Sequence, residues 1–250
     1  MNGRIVFLGT GAAIPINRGL PCLALKVNSS IYLLDAGEGC QHRLFKAGLS
    51  PLKVKTVFIT HGHGDHYLGL FGLVQSMNLL GRDSGLNVVA PEQVAHLISG
   101  VLENVLEKVG FEINIVVGKT GEVYKEDDLE VTPYPVCHTV EAHGYLVRVG
   151  DKTVSYTGDT RPCPSIVEYS KNASILIHEA TFASEYSEEA LKQGHSTARD
   201  AALAAREADV GLLVLTHLSS RYKDDTAIFV DAYRFFRKLV VARDYMTLIL

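Results

Sequence analysis

Three histidines and an aspartate fall within six residues at His61, His63, Asp65 and His66. Imidazole and carboxylate together suit a borderline divalent ion such as zinc. His-x-His places two imidazoles on one side of an extended turn. Asp65 and His66 open the following helix and can face a second ion about 3.5–4 Å from the first. A solvated, histidine-rich loop would have the same composition, but it would not explain the later partners. His138, Asp159 and His217 each close an apolar run, over residues 129–136, 152–158 and 211–216. Ligand types repeated at the ends of apolar runs are what loops on a rigid scaffold can gather into one site.

The elements that must position these residues can be read from periodicity. Residues 54–60 are apolar and β-branched, a buried strand, and 67–80 have helical spacing, so the histidine cluster sits on a strand-to-helix loop. Further strands are expected over 4–8, 22–27, 31–34, 87–90, 111–117, 122–124, 145–149 and 174–178. Helices are expected over 40–47, 91–109, 165–169, 187–193, 197–208 and 227–241, and 246–250 reads as an apolar strand or tail. Pro91 suits a first helical position. Residues 125–128 are read as a solvated turn, and His96 as a surface residue of its helix. His42 and His143 match no ligand position. Asp35, at a strand end beside the metal loop, could orient a ligand histidine or cap the helix that follows.

The chain has 250 residues, 47% of them apolar and 21% charged, enough for one domain over 1–250 with a large core. The formal charge of −4 gives no global basic footprint, so any nucleic-acid surface must be local. Candidates are Arg18, Arg43, Lys46, Arg82, Arg161 and Arg221 in loops expected near the metals, while Arg234, Arg237 and Lys238 on the last helix read as solvated charges. The N-terminus runs into a strand without a signal-peptide apolar region, and no apolar run approaches membrane-spanning length. The four cysteines, Cys22, Cys40, Cys137 and Cys163, form no C-x-x-C and are read as reduced thiols of a cytoplasmic protein that contacts no membrane.

Two more motifs narrow the chemistry: His178-Glu-Ala-Thr and Gly194-His-Ser-Thr. A glutamate that orients a histidine beside metals makes a proton-transfer pair, Glu179 with His195. The ligand pattern as a whole resembles the metallo-β-lactamase superfamily over nearly the entire chain. These two motifs, with Phe7-Leu-Gly-Thr-Gly11, Asp35-Ala-Gly-Glu-Gly39 and Tyr156-Thr-Gly-Asp159, resemble the ribonuclease Z family of transfer-RNA 3′-processing endonucleases. That resemblance implies an α+β fold, the αβ/βα sandwich of two mixed sheets packed face to face with helices on the outer faces. It implies two zinc ions per subunit, with manganese or iron as substitutes. His61, His63 and His138 would hold one ion and Asp65, His66 and His217 the other, with Asp159 bridging.

It further implies in-line attack on a phosphodiester by a metal-bridging hydroxide. Asp65 would accept the proton, and His195, oriented by Glu179, would protonate the departing 3′ oxygen. The expected partners are a transfer-RNA precursor and a second copy of the chain, with the helix over 68–80 as a possible contact. One departure stands out. Only 20 residues separate His138 from Asp159, where the family inserts a long arm that grips transfer RNA. A smaller phosphodiester or another ester therefore remains open as substrate. So does an iron-containing oxidoreductase on the same fold.

Overall fold

A computed structural model of the protein describes residues 3–104 and 108–250. The first sheet takes β1 (Gly3–Gly9), β2 (Cys22–Val27), β3 (Ser30–Leu34), β4 (Val54–Phe58), β5 (Leu86–Ala90) and β6 (Ile113–Val117) in that order. The second takes β7 (Tyr124–Glu126), β8 (Leu129–Pro135), β9 (His143–Val149), β10 (Lys152–Tyr156), β11 (Ile175–Glu179), β12 (Leu213–Thr216) and β13 (Leu239–Val241). The last strand, β14 (Thr247–Ile249), returns to the first sheet and pairs antiparallel with β1. Helices α1 (Cys40–Lys46), α2 (Gly64–Tyr67), α3 (Gly69–Leu79) and α4 (Glu92–Asn104) belong to the first half, and α5 (Pro164–Tyr169), α6 (Ser187–Gln193), α7 (Ala198–Glu207) and α8 (Thr226–Tyr233) to the second. This is the expected αβ/βα sandwich.

Strand alternation explains the layering. Ile5 and Phe7 of β1, Tyr32 and Leu34 of β3, and Phe58 of β4 face the second sheet, where Val147, Tyr156 and Ile177 meet them. Val6, Leu8, Ile31, Leu33 and Val57 point outward into a layer with Leu70, Leu73 and Met77 of α3. Both faces are buried, so the strands read as unbroken apolar runs rather than alternating ones. Each such side chain, removed from water, stabilises the fold by about 1.5–3 kcal/mol. On the far side, Leu176, Leu213 and Leu215 pack under the alanines of α7. That helix starts at a reciprocal cap: Thr197 Oγ1 accepts from Asp200 N at 3.2 Å, and Asp200 Oδ2 accepts from Thr197 N at 2.9 Å.

Strands β3 to β6 run parallel, as do β10 to β13, and β8 runs in the same direction as β10 because β9 is antiparallel to both. The C-terminal ends of β4, β8, β10, β11 and β12 deliver their loops to one edge of the sandwich. Bonds between the sheets fix that edge: Tyr145 Oη donates to Ile59 O at 2.6 Å, and His143 N to Thr60 O at 2.9 Å. Gly158, at φ 57, lies so close to Thr60 that a Cβ would come within 2.8 Å of its side chain, which is why a glycine precedes Asp159.

Four expectations change. The segment 227–241 is not one helix; α8 stops at Tyr233, and Leu239–Val241, with two β-branched valines, pairs parallel with β12. Arg234, Arg237 and Lys238 thus lie in the turn between them. Lys125 and Glu126 belong to β7 rather than to a turn. The cysteines are not free: Cys22 pairs with Cys40 and Cys137 with Cys163, with Cα atoms 6.1 and 5.7 Å apart. Sheet–helix packing brings these partners together across 18 and 26 residues, a separation that spacing motifs do not register. Finally, Arg82 precedes β5, at the opposite end of the sandwich from the histidines, where it donates to Ser84 O and Gly85 O. The expected helical continuation through Val105 and Leu106 lies outside the described residues.

Candidate metal centre

The loop after β4 carries His61 and His63, and α2 presents Asp65 and His66. Their ring nitrogens converge with those of the second sheet. His63 Nδ1 lies 3.0 Å from His61 Nε2 and 3.1 Å from His138 Nε2. Asp159 stands between two groups: its Oδ2 is 3.7 Å from His61 Nε2 and 3.4 Å from His66 Nε2, and its Oδ1 is 3.3 Å from His217 Nε2. Asp65 Oδ2 is 3.6 Å from His66 Nε2 and 3.5 Å from His217 Nε2. All seven expected ligand candidates are thus in one place, in groups able to hold a metal.

The surrounding hydrogen bonds fix which nitrogens carry protons. His138 Nδ1 donates to Gly194 O, a pure acceptor, at 2.8 Å, so its Nε2 is bare. Thr60 Oγ1 donates to Asp35 and therefore accepts from His61 Nδ1 at 2.9 Å. Thr181 Oγ1 donates to Glu179 Oε2 at 2.7 Å and accepts from His217 Nδ1 at 2.9 Å. His66 Nδ1 donates to Asp35 Oδ2 at 2.8 Å. Four lone pairs are left pointing at one centre lined by carboxylates. His66 Nε2, His217 Nε2 and Asp159 Oδ1 are buried there with no hydrogen-bond partner in the protein. Buried acceptors facing one another without donors are costly unless a cation sits between them, so the donor set fits divalent metal.

Electrostatics agree. Burial, reinforced by His66, pushes His61 well below the usual imidazole range. Burial also disfavours a charge on His66, but Asp159 and Asp35 outweigh it and favour positive charge at that point, which a divalent ion supplies. Burial would raise Asp159, yet His217 and His66 hold it well below the carboxylate range. Two backbones are also unusual: Asp35 at φ 61 and His217 at φ 58 lie in the left-handed region, a cost that clusters at functional sites.

Asp35 is settled as an orienting residue. Its carboxylate accepts from Thr60 N at 2.8 Å, His66 Nδ1 at 2.8 Å and Tyr156 Oη at 2.7 Å, while Gly39 occupies the cap of α1. Glu179 and His195 also meet: Glu179 Oε1 accepts from His195 Nδ1 at 2.8 Å and from Thr160 N at 2.9 Å. Burial disfavours the His195 imidazolium, but Glu179 outweighs it and raises the group to about 9. His178, the neighbour of Glu179, points to the other face of β11. It floors a hollow of about 770 Å³ under α5 and α7, away from the metal cluster.

The cluster opens into a cleft of about 530 Å³ lined by His195, the 12–14 loop, Phe182 and Arg221. The flanking loop 10–19 is tied down from the C-terminal segment. Asp244 accepts from Thr10 Oγ1 at 2.7 Å, Gly19 N at 2.7 Å and Arg43 Nη1 at 2.8 Å, and Arg18 pairs with Asp225. Sequence reading missed Asp244, Tyr156 as a hydroxyl donor and the carbonyl of Gly194, and no spacing signal could have found them. Of the basic candidates, Arg221 enters the cleft and Arg161 sits beside His138, donating to its carbonyl at 3.4 Å.

The beta-lactamase superfamily domain model matches residues 31–218. A ribonuclease Z of Methanothermobacter thermautotrophicus is 37% identical, with 97% of this chain and 95% of the relative covered. The chain belongs to the ribonuclease Z family. It is a metal-dependent hydrolase by sequence and fold alike. Among solved structures, human tRNase Z, short form, superimposes with a TM-score of 0.83 at 26% identity over 98% of each chain. The metallo-β-lactamase-fold protein YhfI of Bacillus subtilis gives 0.88 at 21% identity over the whole of both chains, a likeness of fold. The alignment with the archaeal relative runs over 292 positions against the 250 residues here, so that relative has residues with no counterpart in this chain.

Proposed function

We propose that this chain is an endoribonuclease that removes the 3′ trailer from transfer-RNA precursors. The observation that carries this reading is the Glu179–His195 pair, 2.8 Å apart, with His195 Nδ1 3.9 Å from Asp159 at the mouth of the cleft. A metal cluster alone suits many hydrolases. A histidine charged by its own buried glutamate beside that cluster is suited to releasing a poor alkoxide leaving group.

His61, His63 and His138 would hold one zinc ion and Asp65, His66 and His217 the other, with Asp159 placed between the two groups. Bound there, the ions supply Lewis acidity toward phosphodiester oxygens and acidify a water. The protein's own residues do the proton work. Burial opposes ionisation of Asp65, but His217 and His66 keep it a carboxylate, ready to take a proton from the attacking water. His195 returns a proton to the departing 3′ oxygen. The products are a 3′-hydroxyl on the mature RNA and a 5′-phosphate on the trailer.

A second reading rests on the link between β9 and β10, which is only Gly150 and Asp151. Among the described residues that two-residue link carries no arm, and a smaller diester would need none. The deciding experiment offers zinc-loaded protein a 3′-extended transfer-RNA precursor beside a small chromogenic phosphodiester, with the cut site mapped. Cleavage after the last mature nucleotide is expected. Hydrolysis of the small diester alone would replace the RNA reading with the second one.

The working unit is a homodimer joined through the first-sheet helices, where Phe45, Leu79 and Leu80 expose apolar side chains; light scattering tests it. The cysteine pairs remove the thiol argument for compartment, so placement in the cytoplasm rests on the substrate. No helix among the described residues is long and apolar enough to cross a membrane.

A further inference from the structure

At the rim of the cleft, the Arg221 guanidinium lies 4.6 Å from the Phe182 ring centroid and 4.4 Å from that of Tyr186. The two rings are 6.4 Å apart, and the one cation lies over both. Phe182 is 2% exposed, and its ring is 6.2 Å from that of His195. The ledge thus begins directly beside the residue assigned to the leaving 3′ oxygen.

The edges of this guanidinium are already used. Nη2 and Nη1 donate to Glu189 at 2.9 and 3.4 Å, and Nε donates to Ser219 Oγ at 3.3 Å. Ala183 N donates to Tyr222 Oη at 2.7 Å, which ties the loop carrying Arg221 to the segment carrying Phe182. A phosphate clamp presents its N–H fork to the ligand. Here the fork is turned to a carboxylate that offsets its charge. With its edges engaged and the rings beneath it, the side chain is still 32% exposed at the rim of the cleft. Splayed RNA bases stack on guanidinium planes, and stacking accepts any base.

We infer that Arg221, held over the rings of Phe182 and Tyr186 with its N–H edges engaged, is the stacking platform for the base of the nucleotide whose 3′ oxygen leaves. This rests on the RNA-processing reading above. It gives a chain without a gripping arm a local means of placing the scissile bond: the last mature base is clamped beside His195. Because the platform reads a π-face and not a base edge, it tolerates every base at that position.

The test removes the base rather than only the arginine. Wild-type, zinc-loaded protein is given a 3′-extended transfer-RNA precursor with either a normal or an abasic nucleotide at the last mature position. Removing the base should lower kcat/KM by about 10- to 100-fold. Arg221→Ala should lose a similar factor on the normal precursor and little more on the abasic one. Arg221→Lys should not rescue, since it restores charge without a plane. A 2-aminopurine at that position should be quenched on binding to wild type and less so by Arg221→Ala. A precursor cut equally well with and without the base overturns the platform while leaving the RNA reading intact. Rescue by lysine, with additive losses from base and arginine, overturns it in favour of a phosphate contact. Failure of wild type to cut the normal precursor at all overturns the RNA reading and the platform with it.

Discussion

Two buried carboxylates, one from each sheet, are built alike and put to different uses. Asp35, after β3, accepts from the backbone N–H and hydroxyl of Thr60 and from His66 Nδ1. Glu179, at the end of β11, accepts from the backbone N–H and hydroxyl of Thr181 and from His195 Nδ1. Each is a strand-end carboxylate that grips a threonine and accepts from an imidazole Nδ1. The difference lies in where the far nitrogen goes. His66 is fully buried and its Nε2 faces the other ligands; His195 is 15% exposed in its side chain and borders the cleft. The proposed roles differ accordingly, metal retention behind the buried imidazole and proton delivery from the one that borders the cleft.

The largest way to break the comparison is to remove what both sides share. Asp159→Ala and His63→Ala should lose metal, read by elemental analysis, and fall to background hydrolysis. Next comes His195→Ala, which should keep its metal and lose about 10²- to 10⁴-fold in turnover; an emptied site would make it a ligand and erase the contrast. Asp35→Asn keeps shape and removes charge behind a ligand, so metal affinity measured by chelator competition should fall about 10- to 100-fold.

The smallest effect sharpens the other side. Glu179→Gln should retain metal and move the alkaline limb of the pH–rate profile. With His195 as the proposed proton donor, activity should fall as pH rises through its pKa. Glu179 holds that group at about 9. Without the charge it should drop toward the ordinary value of about 6.5, and the limb should shift to lower pH. A limb that stays in place would mean that another group limits the rate.

How legible each side was in the sequence follows the same division. The first-sheet ligands are compressed into one loop, and their spacing declares them. His138, Asp159 and His217 are dispersed but fall at the ends of apolar strands, so a pattern of strand ends finds them. The residues behind the ligands are harder. Asp35 left two roles open because a carboxylate before a helix is locally indistinguishable from a cap. Gly194 O contributes through its backbone and has no residue-type signal at all. The cysteine pairs and the split of 227–241 were misread for a related reason: both depend on which strand comes to lie beside which. Apolar spacing at Leu239–Val241 is compatible with a helix until β12 offers a parallel edge.

The grip of Asp244 on Thr10, Gly19 and Arg43 sets an order of assembly. Every candidate ligand has been synthesised once His217 leaves the ribosome. The loop that flanks the cleft is tied in turn to Leu218 through Thr10 and Ala12, to Asp225 through Arg18, and last to Asp244 through Thr10 and Gly19. The candidate ligands thus all precede the residue that makes the last tie of the channel wall. A nuclease that matures in this order gathers its chemistry before the last tie of its access route is made.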